Sequence, residues 1–439
     1  MKPDSRGKPR VVIVGGGFAG INAARALKGC DSEVVLIDRR NHHVFQPLLY
    51  QVATAIIAPS EIAAPIRQLA ETQKNLSVML AEVTGVNLQS RNIETYREGV
   101  GSRTVAFDYL VVAAGMESSY FGHDEFAEYA PSLKTVADAE AIRTKILTAY
   151  EIAELSDDAA ERAKQTTFVV VGGGPTGVEL AASIAEMATV TLRSNFRRFD
   201  PAKSSIVLIE GGPRILPAFH ESLAKGAAKR LERLGVKILT GNNVERVDND
   251  GVIVAGNRIE SATVLWAAGV VASPIVRMLG VPTDRAGRVV VGPSMNVPDK
   301  QGVFVVGDAA TIMQDGHPLP GVAQVAIQSG KYVGRFIGDE IAGRTSTKAF
   351  RYFNKGNLAV VGKNFALLER YEVRLSGFMA WFIWAFVHIA FLPQLQNRLR
   401  IQIQWLWSYF TGQRGARLIP EASTPTFSPK GSCVTSSRT

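Results

Sequence analysis

The chain has 439 residues, 46% hydrophobic and 20% charged, which suits the cores of two to three domains and excludes a disordered or low-complexity protein. Lysine and arginine exceed aspartate and glutamate by 49 − 40 = 9, yet no nucleic-acid motif accompanies the excess, so no nucleic-acid partner is expected. Only Cys30 and Cys433 occur, far apart and outside any CxxC, so a disulfide framework and a thiol redox centre both lack material and a reducing compartment is expected.

Residues 1–10 are basic and run straight into Val11-Val12-Ile13-Val14, leaving no room for the apolar core of a signal peptide; export is not expected. The β-branched run reads as a buried parallel strand, and Gly15-x-Gly17-x-x-Gly20 follows it. In that context the first glycine permits a tight turn, the second lets backbone approach a pyrophosphate, and the third lets helix pack on strand. The helix N-terminus then faces the anion. A second strand, Val34-Val35-Leu36-Ile37, ends at Asp38, about twenty residues on, where a ribose-binding carboxylate belongs. Residues 42–51 are too apolar for a surface loop and too broken by Pro47 for a helix. His42 and His43 lack further ligands at metal spacing, so packing or hydrogen bonding is their expected role and no metal is predicted.

The same grammar then repeats. Phe168-Val169-Val170-Val171 leads into Gly172-x-Gly174-x-x-Gly177, and Val207-Leu208-Ile209 ends at Glu210 after a connection lengthened by residues 191–203. Each unit closes with a strand running into small residues, Ala113-Ala114-Gly115 in one and Ala267-Ala268-Gly269 in the other. Two dinucleotide-binding units imply electron transfer between two dinucleotides. Glu210 would bind ribose and repel a 2′-phosphate, favouring NADH over NADPH, with Arg214 close enough in sequence to oppose that preference. Phe304-Val305-Val306-Gly307-Asp308 returns to the first unit, making it discontinuous, and Asp308 is placed to hydrogen-bond cofactor hydroxyls.

Gln324 and Gln328 are four apart and share one helical face among Val322, Ala323, Val325, Ala326 and Ile327, so their amides are expected to face inward. Residues 377–392 form the most apolar stretch, stopped by Pro393; sixteen residues fall short of the roughly twenty that a crossing helix needs. The amphipathic residues 401–410 follow. Arg398, Arg400, Arg414 and Arg417 interleave there with Trp405, Trp407, Tyr409 and Phe410, as at a headgroup interface, so a monotopic hairpin lying in the membrane surface is expected. A helix buried in a homodimer is the competing reading. Residues 422–439, rich in Ser, Thr and Pro, read as a disordered tail.

With these motifs the chain resembles the two-dinucleotide-binding-domain flavoproteins, and among them the bacterial type II NADH:quinone dehydrogenases. The resemblance is carried by both glycine fingerprints, the segment His43-x-Phe45-Gln46-Pro47-Leu48-Leu49-Tyr50-Gln51, Gly307-Asp308, Ala323-Gln324-Val325-Ala326-Ile327-Gln328 and residues 350–359. It implies an α/β fold of two Rossmann-like domains with a C-terminal membrane-associating helical segment. FAD would be held non-covalently over 1–120 and 290–345, NADH over 121–289, and membrane or dimer contacts made by 346–421.

Flavin contacts implied are Gly15, Gly17, Phe18, Ala19, Gly20, Asp38, Arg39, Val83, Ala114, Gly115, Asp308, Ala323 and Gln324. Those for NADH are Gly172, Gly174, Pro175, Thr176, Gly177, Glu179, Glu210, Ala268 and Gly269, and those for quinone are Tyr50, Gln324 and Gln328. Glu179, Gln324 and Gln328 are the implied catalytic residues, Glu179 orienting the nicotinamide or relaying a proton. The implied activity passes hydride from NADH to FAD and two electrons to ubiquinone or menaquinone, at the cytoplasmic face of the inner membrane and without proton pumping. Flavin disulfide reductases need cysteines this chain lacks. A soluble FAD-dependent NADH oxidase, a ferredoxin-type reductase and a non-catalytic nucleotide sensor remain as alternatives.

Overall fold

A computed structural model of the chain describes residues 7–345 and 348–420; the tail expected over 422–439 lies outside the described residues. The first apolar run becomes the strand Arg10–Val14 at the centre of a five-stranded sheet. Its spatial order is Val303–Val305, Tyr109–Val112, Arg10–Val14, Glu33–Asp38 and Leu76–Leu80, all parallel. Val11, Val12 and Ile13 are fully buried, because helices or loops cover both faces of a parallel sheet. The second unit repeats the design in the parallel order Val236–Thr240, Ser205–Glu210, Thr167–Val171 and Thr263–Trp266. Each unit also carries a three-stranded antiparallel meander, from Glu82–Asn87 to Gly101–Ala106 and from Val244–Asp248 to Asn257–Glu260.

The two passages between units, Met116–Ser118 and Val270–Ala272, pair as a short antiparallel ribbon. Beyond it, Ile275, Val276, Leu279 and Val289 pack in the core of the first unit. The chain therefore returns to that unit near Ala272, earlier than the boundary at 290 that the sequence reading placed.

Two further features position the site. Helix Ala323–Ile341 crosses helix Phe18–Ala26 in backbone contact: a Cβ on Gly330 would lie 2.1 Å from the Ala19 carbonyl oxygen, and one on Gly334 would lie 2.4 Å from that of Ala23. After a sheet over Asn357–Val360, Ala366–Arg370 and Val373–Gly377, helices Phe378–Phe391 and Leu395–Thr411 fold back onto the second unit. Ala380, Trp384, Leu392 and Ile401 share its core with Leu48, Val52 and Leu180, each larger side chain contributing about 1.5–3 kcal/mol. The outer face of these helices is apolar and exposed: Phe378, Phe382 and Phe386, then Leu395, Leu399, Ile403, Leu406 and Phe410, follow helical spacing. Among the described residues no helix is long and apolar enough to cross a membrane.

Candidate functional site

A cleft of about 310 Å³ opens at the C-terminal ends of the first sheet's strands. Gly15 has φ +104° and lies against Ala113, whose carbonyl oxygen would be 2.4 Å from an added Cβ; Gly20 meets Gly15 in the same way at 1.8 Å. At Gly17 an added Cβ meets nothing within 4 Å, so this side of the turn is open to the cleft. Asp38 accepts the Gly16 N–H at 2.6 Å and the Arg40 N–H at 2.7 Å, tying the strand end to the glycine turn. His43 supports the turn from beneath: burial pushes its ring down to about 4, so the neutral imidazole donates from Nδ1 to the Gly16 carbonyl at 3.1 Å. Across the cleft, Asp308 is partly buried, with its Oδ1 enclosed and unpartnered, its carboxyl raised by desolvation and pulled back by Lys134 and Arg288.

The second turn has the same geometry. Gly172 has φ +112° and sits against Ala267, Gly177 against Gly172, while Gly174 is open. Glu210 accepts the Gly173 N–H at 2.6 Å and the Gly212 N–H at 2.7 Å. Arg214 is turned away, its guanidinium donating to the carbonyls of Leu216 and Pro217 at 3.0 Å each. Pro175 opens helix Pro175–Glu186, and its first turn brings Thr176 and Glu179 into the wall of the first cleft. Gly269 has φ +68° and is capped by the exposed ring of Phe121.

Glu179 and Tyr50 stand where the cleft meets a second, indole-lined cavity of about 190 Å³. Burial raises the Glu179 carboxyl to about 8, with one backbone donor, Val360 N–H at 3.3 Å, opposing the shift. Tyr50 is buried and its phenol raised well above its usual value by desolvation and by Glu179. An indole nitrogen can only donate, so the Trp405 Nε1 contact to Gln51 Oε1 at 2.7 Å fixes the Gln51 amide, whose nitrogen then donates to Tyr50 Oη at 2.9 Å. The Tyr50 hydroxyl proton is thereby left for the cavity. Trp381, Trp384 and Tyr409 complete the aromatic wall. At its far end Arg414 is buried, donating to Thr54 O at 2.8 Å and Ser183 O at 3.0 Å, with Glu186 nearby.

Several expectations are redrawn. Gln324 and Gln328 do share a face, but their amides grip backbone: Gln324 Nε2 donates to Gly356 O at 2.8 Å and its Oε1 accepts Lys355 N–H at 3.1 Å, while Gln328 is bonded to both backbone groups of Phe353 at 3.0 Å. Both are clasps for residues 353–356, since an amide satisfies a peptide group as well as a ligand; Ala323 of the same turn lines the cleft. Arg39 points out to Glu117 at 3.1 Å, and Val83 is buried in the first core; neither lines the cleft. Pro47 does not prevent a helix but precedes one, Leu49–Ala53, which carries Tyr50 and Gln51. Arg414, expected at a headgroup interface, is an internal clamp because two buried carbonyls need its donors. Lys134, Ser183, Glu186 and the four-residue spacing of Gly330, Gly334 and Gly338 escaped the sequence reading; only the last had a signal, small residues at one-turn intervals.

Residues 9–330 match the model of the pyridine nucleotide-disulphide oxidoreductase family. The chain belongs to that family. It is 44% identical to the type II NADH:quinone oxidoreductase Ndh of Mycobacterium tuberculosis over 94% of this chain and 90% of the relative, and so is also a member of the type II NADH:quinone oxidoreductases. It is 30% identical to the internal alternative NAD(P)H-ubiquinone oxidoreductase A1 of Arabidopsis thaliana, over 95% of this chain and 88% of the relative. The fold matches that of NDH2 from Plasmodium falciparum in complex with NADH, with a TM-score of 0.84 at 21% identity over 93% and 99% of the two chains. Family membership does not bring a redox disulfide: Cys30 is partly buried beside the Gly338 carbonyl and Cys433 lies outside the described residues.

Proposed function

We propose that the chain is an FAD-dependent NADH:quinone oxidoreductase that converts NADH, a proton and quinone into NAD⁺ and quinol. The observation that carries this reading is the shared wall: Glu179 and Tyr50 line both the glycine-turn cleft and the aromatic cavity, so one pair of side chains borders donor and acceptor. The cleft fits FAD. Its open turn at Gly17 leaves room for a pyrophosphate at a helix N-terminus, and the unpartnered Asp308 Oδ1 is a ready acceptor for ribityl hydroxyls. Bound there, a flavin supplies the two-electron relay between nicotinamide and quinone.

The chain's own residues hold and orient. The Gly15–Gly20 turn and Asp38 take the flavin's adenosine half, the Gly172–Gly177 turn and Glu210 take NADH, and Arg214, engaged with backbone carbonyls, is not free to attract a 2′-phosphate. Glu179, neutral below about 8, holds a proton beside the reacting rings. Gln324 and Gln328 fix the 353–356 wall against the start of helix Ala323–Ile341. The exposed apolar stripe of the last two helices docks the enzyme on the cytoplasmic face of the inner membrane, bringing the cavity to the depth of a lipid-soluble substrate. The test is NADH consumption by purified holoprotein with ubiquinone and menaquinone analogues under nitrogen. Quinol should form one for one with NADH oxidised; NADH consumption that needs oxygen and yields no quinol would instead support a soluble oxidase.

A further inference from the structure

We infer that the indole N–H of Trp384 donates a hydrogen bond to a carbonyl oxygen of the quinone head group. The inference rests on the reading that the aromatic cavity receives the quinone. Trp384 is 3% exposed, lines that cavity, and its Nε1 has no hydrogen-bond partner. An indole nitrogen is a donor only, and a buried donor without an acceptor carries a standing desolvation penalty that an arriving acceptor removes. The ring is held before any ligand enters. It stacks on Trp405 at 5.3 Å and against His388 at 4.5 Å, and His388 Nδ1 is bonded at 2.7 Å to the Trp384 carbonyl.

Besides the Tyr50 hydroxyl, whose proton also faces the cavity, the Trp405 indole and both cationic donors of the wall are engaged. Trp405 Nε1 donates to Gln51, Lys363 Nζ donates to Tyr409 O at 2.6 Å, and Arg414 holds the carbonyls of Thr54 and Ser183. With both cations turned onto backbone carbonyls, Trp384 presents a neutral N–H in an aromatic enclosure, which suits a flat, uncharged carbonyl compound rather than an anionic lipid headgroup.

Trp384→Phe keeps a ring in the stack and removes the donor. In holoenzyme with wild-type flavin content, KM for a short-chain ubiquinone analogue should rise about threefold to tenfold while kcat stays within about twofold, as for loss of one neutral hydrogen bond. The stretch of a ¹³C-labelled quinone carbonyl should move toward its unbonded frequency in the variant. A measurement on the wild-type enzyme avoids any folding defect: the ultraviolet resonance Raman band of the indole N–H should shift when the quinone analogue binds. An unchanged KM and carbonyl band, or an indole band that ignores quinone, overturns the assignment. Wild-type enzyme that is bleached by NADH but reduces no quinone refutes the underlying reading instead.

Discussion

Replacing Glu179 by glutamine tests the electrostatics of the junction through both stability and rate. The carboxyl lies in the partly buried wall between the two cavities, and desolvation raises it from 4.5 to about 8. Below pH 4.5 the group is neutral in the folded and unfolded chain and costs nothing. Above that, the unfolded chain ionises while the fold keeps the proton, so stability falls by about 1.4 kcal/mol per pH unit until the folded group titrates. The penalty reaches about 3 kcal/mol at pH 7 and levels off above about 8. Glutamine has the same shape and no charge to lose. Glu179→Gln should therefore unfold at a midpoint several degrees above wild type at pH 7 to 8, with the difference vanishing near pH 4.5. Thermal melts of the two holoproteins across that range check it, since all other titrating groups cancel in the difference. On the rate side, quinone-driven reoxidation in the wild type should slow as pH passes about 8, and the variant should be slower and flat with pH. Parallel pH profiles for both proteins, in melting and in reoxidation, would refute the reasoning.

Four other outcomes follow from the packing. Gly330→Ala places a methyl 2.1 Å from the Ala19 carbonyl, so it should cost about 1–3 kcal/mol and lower the flavin content of purified protein, read from the ratio of flavin to protein absorbance. Arg414→Met strands the buried carbonyls of Thr54 and Ser183 and should destabilise by about 1–3 kcal/mol for each in denaturant titrations. Glu210→Gln removes the carboxylate that would face a 2′-phosphate, and the KM ratio of NADPH to NADH should fall by about tenfold. Phe382, Phe386 and Ile403 are 59%, 69% and 69% exposed, so changing all three to serine should abolish flotation with anionic vesicles while flavin bleaching by NADH persists. Truncating both helices would not isolate that contact, because Trp384 and Ile401 belong to the core.

The nucleotide half of the molecule was readable because backbone geometry dictates residue type there. Only glycine fits where Gly15 and Gly172 turn with positive φ against a neighbouring strand, and Asp38 and Glu210 are acids because they must accept backbone N–H groups of those turns. The strands beside those turns were marked by apolar, β-branched runs of the right length. The acceptor half was harder because its wall is assembled across the chain: Tyr50, Glu179, Val360, Trp384, Trp405 and Arg414 meet through folding alone, with no local period to announce them. Gln324 and Gln328 show a different limit. Helical spacing placed them on one face, but an amide looks the same in sequence whether it addresses a ligand or the backbone of residues 353–356. Arg414 was misread for the opposite reason, since a basic residue among tryptophans has the composition of a membrane surface even when two buried carbonyls claim it.

The central claim is that one chain passes electrons from NADH through a tightly held flavin to a quinone. Anaerobic stopped-flow spectroscopy of the purified protein, mixed first with stoichiometric NADH and then with a quinone analogue, tests it directly. The yellow flavin absorbance should bleach in the first mix and return in the second as quinol appears. Flavin that stays yellow with NADH, or once bleached is not restored by any quinone, would contradict it.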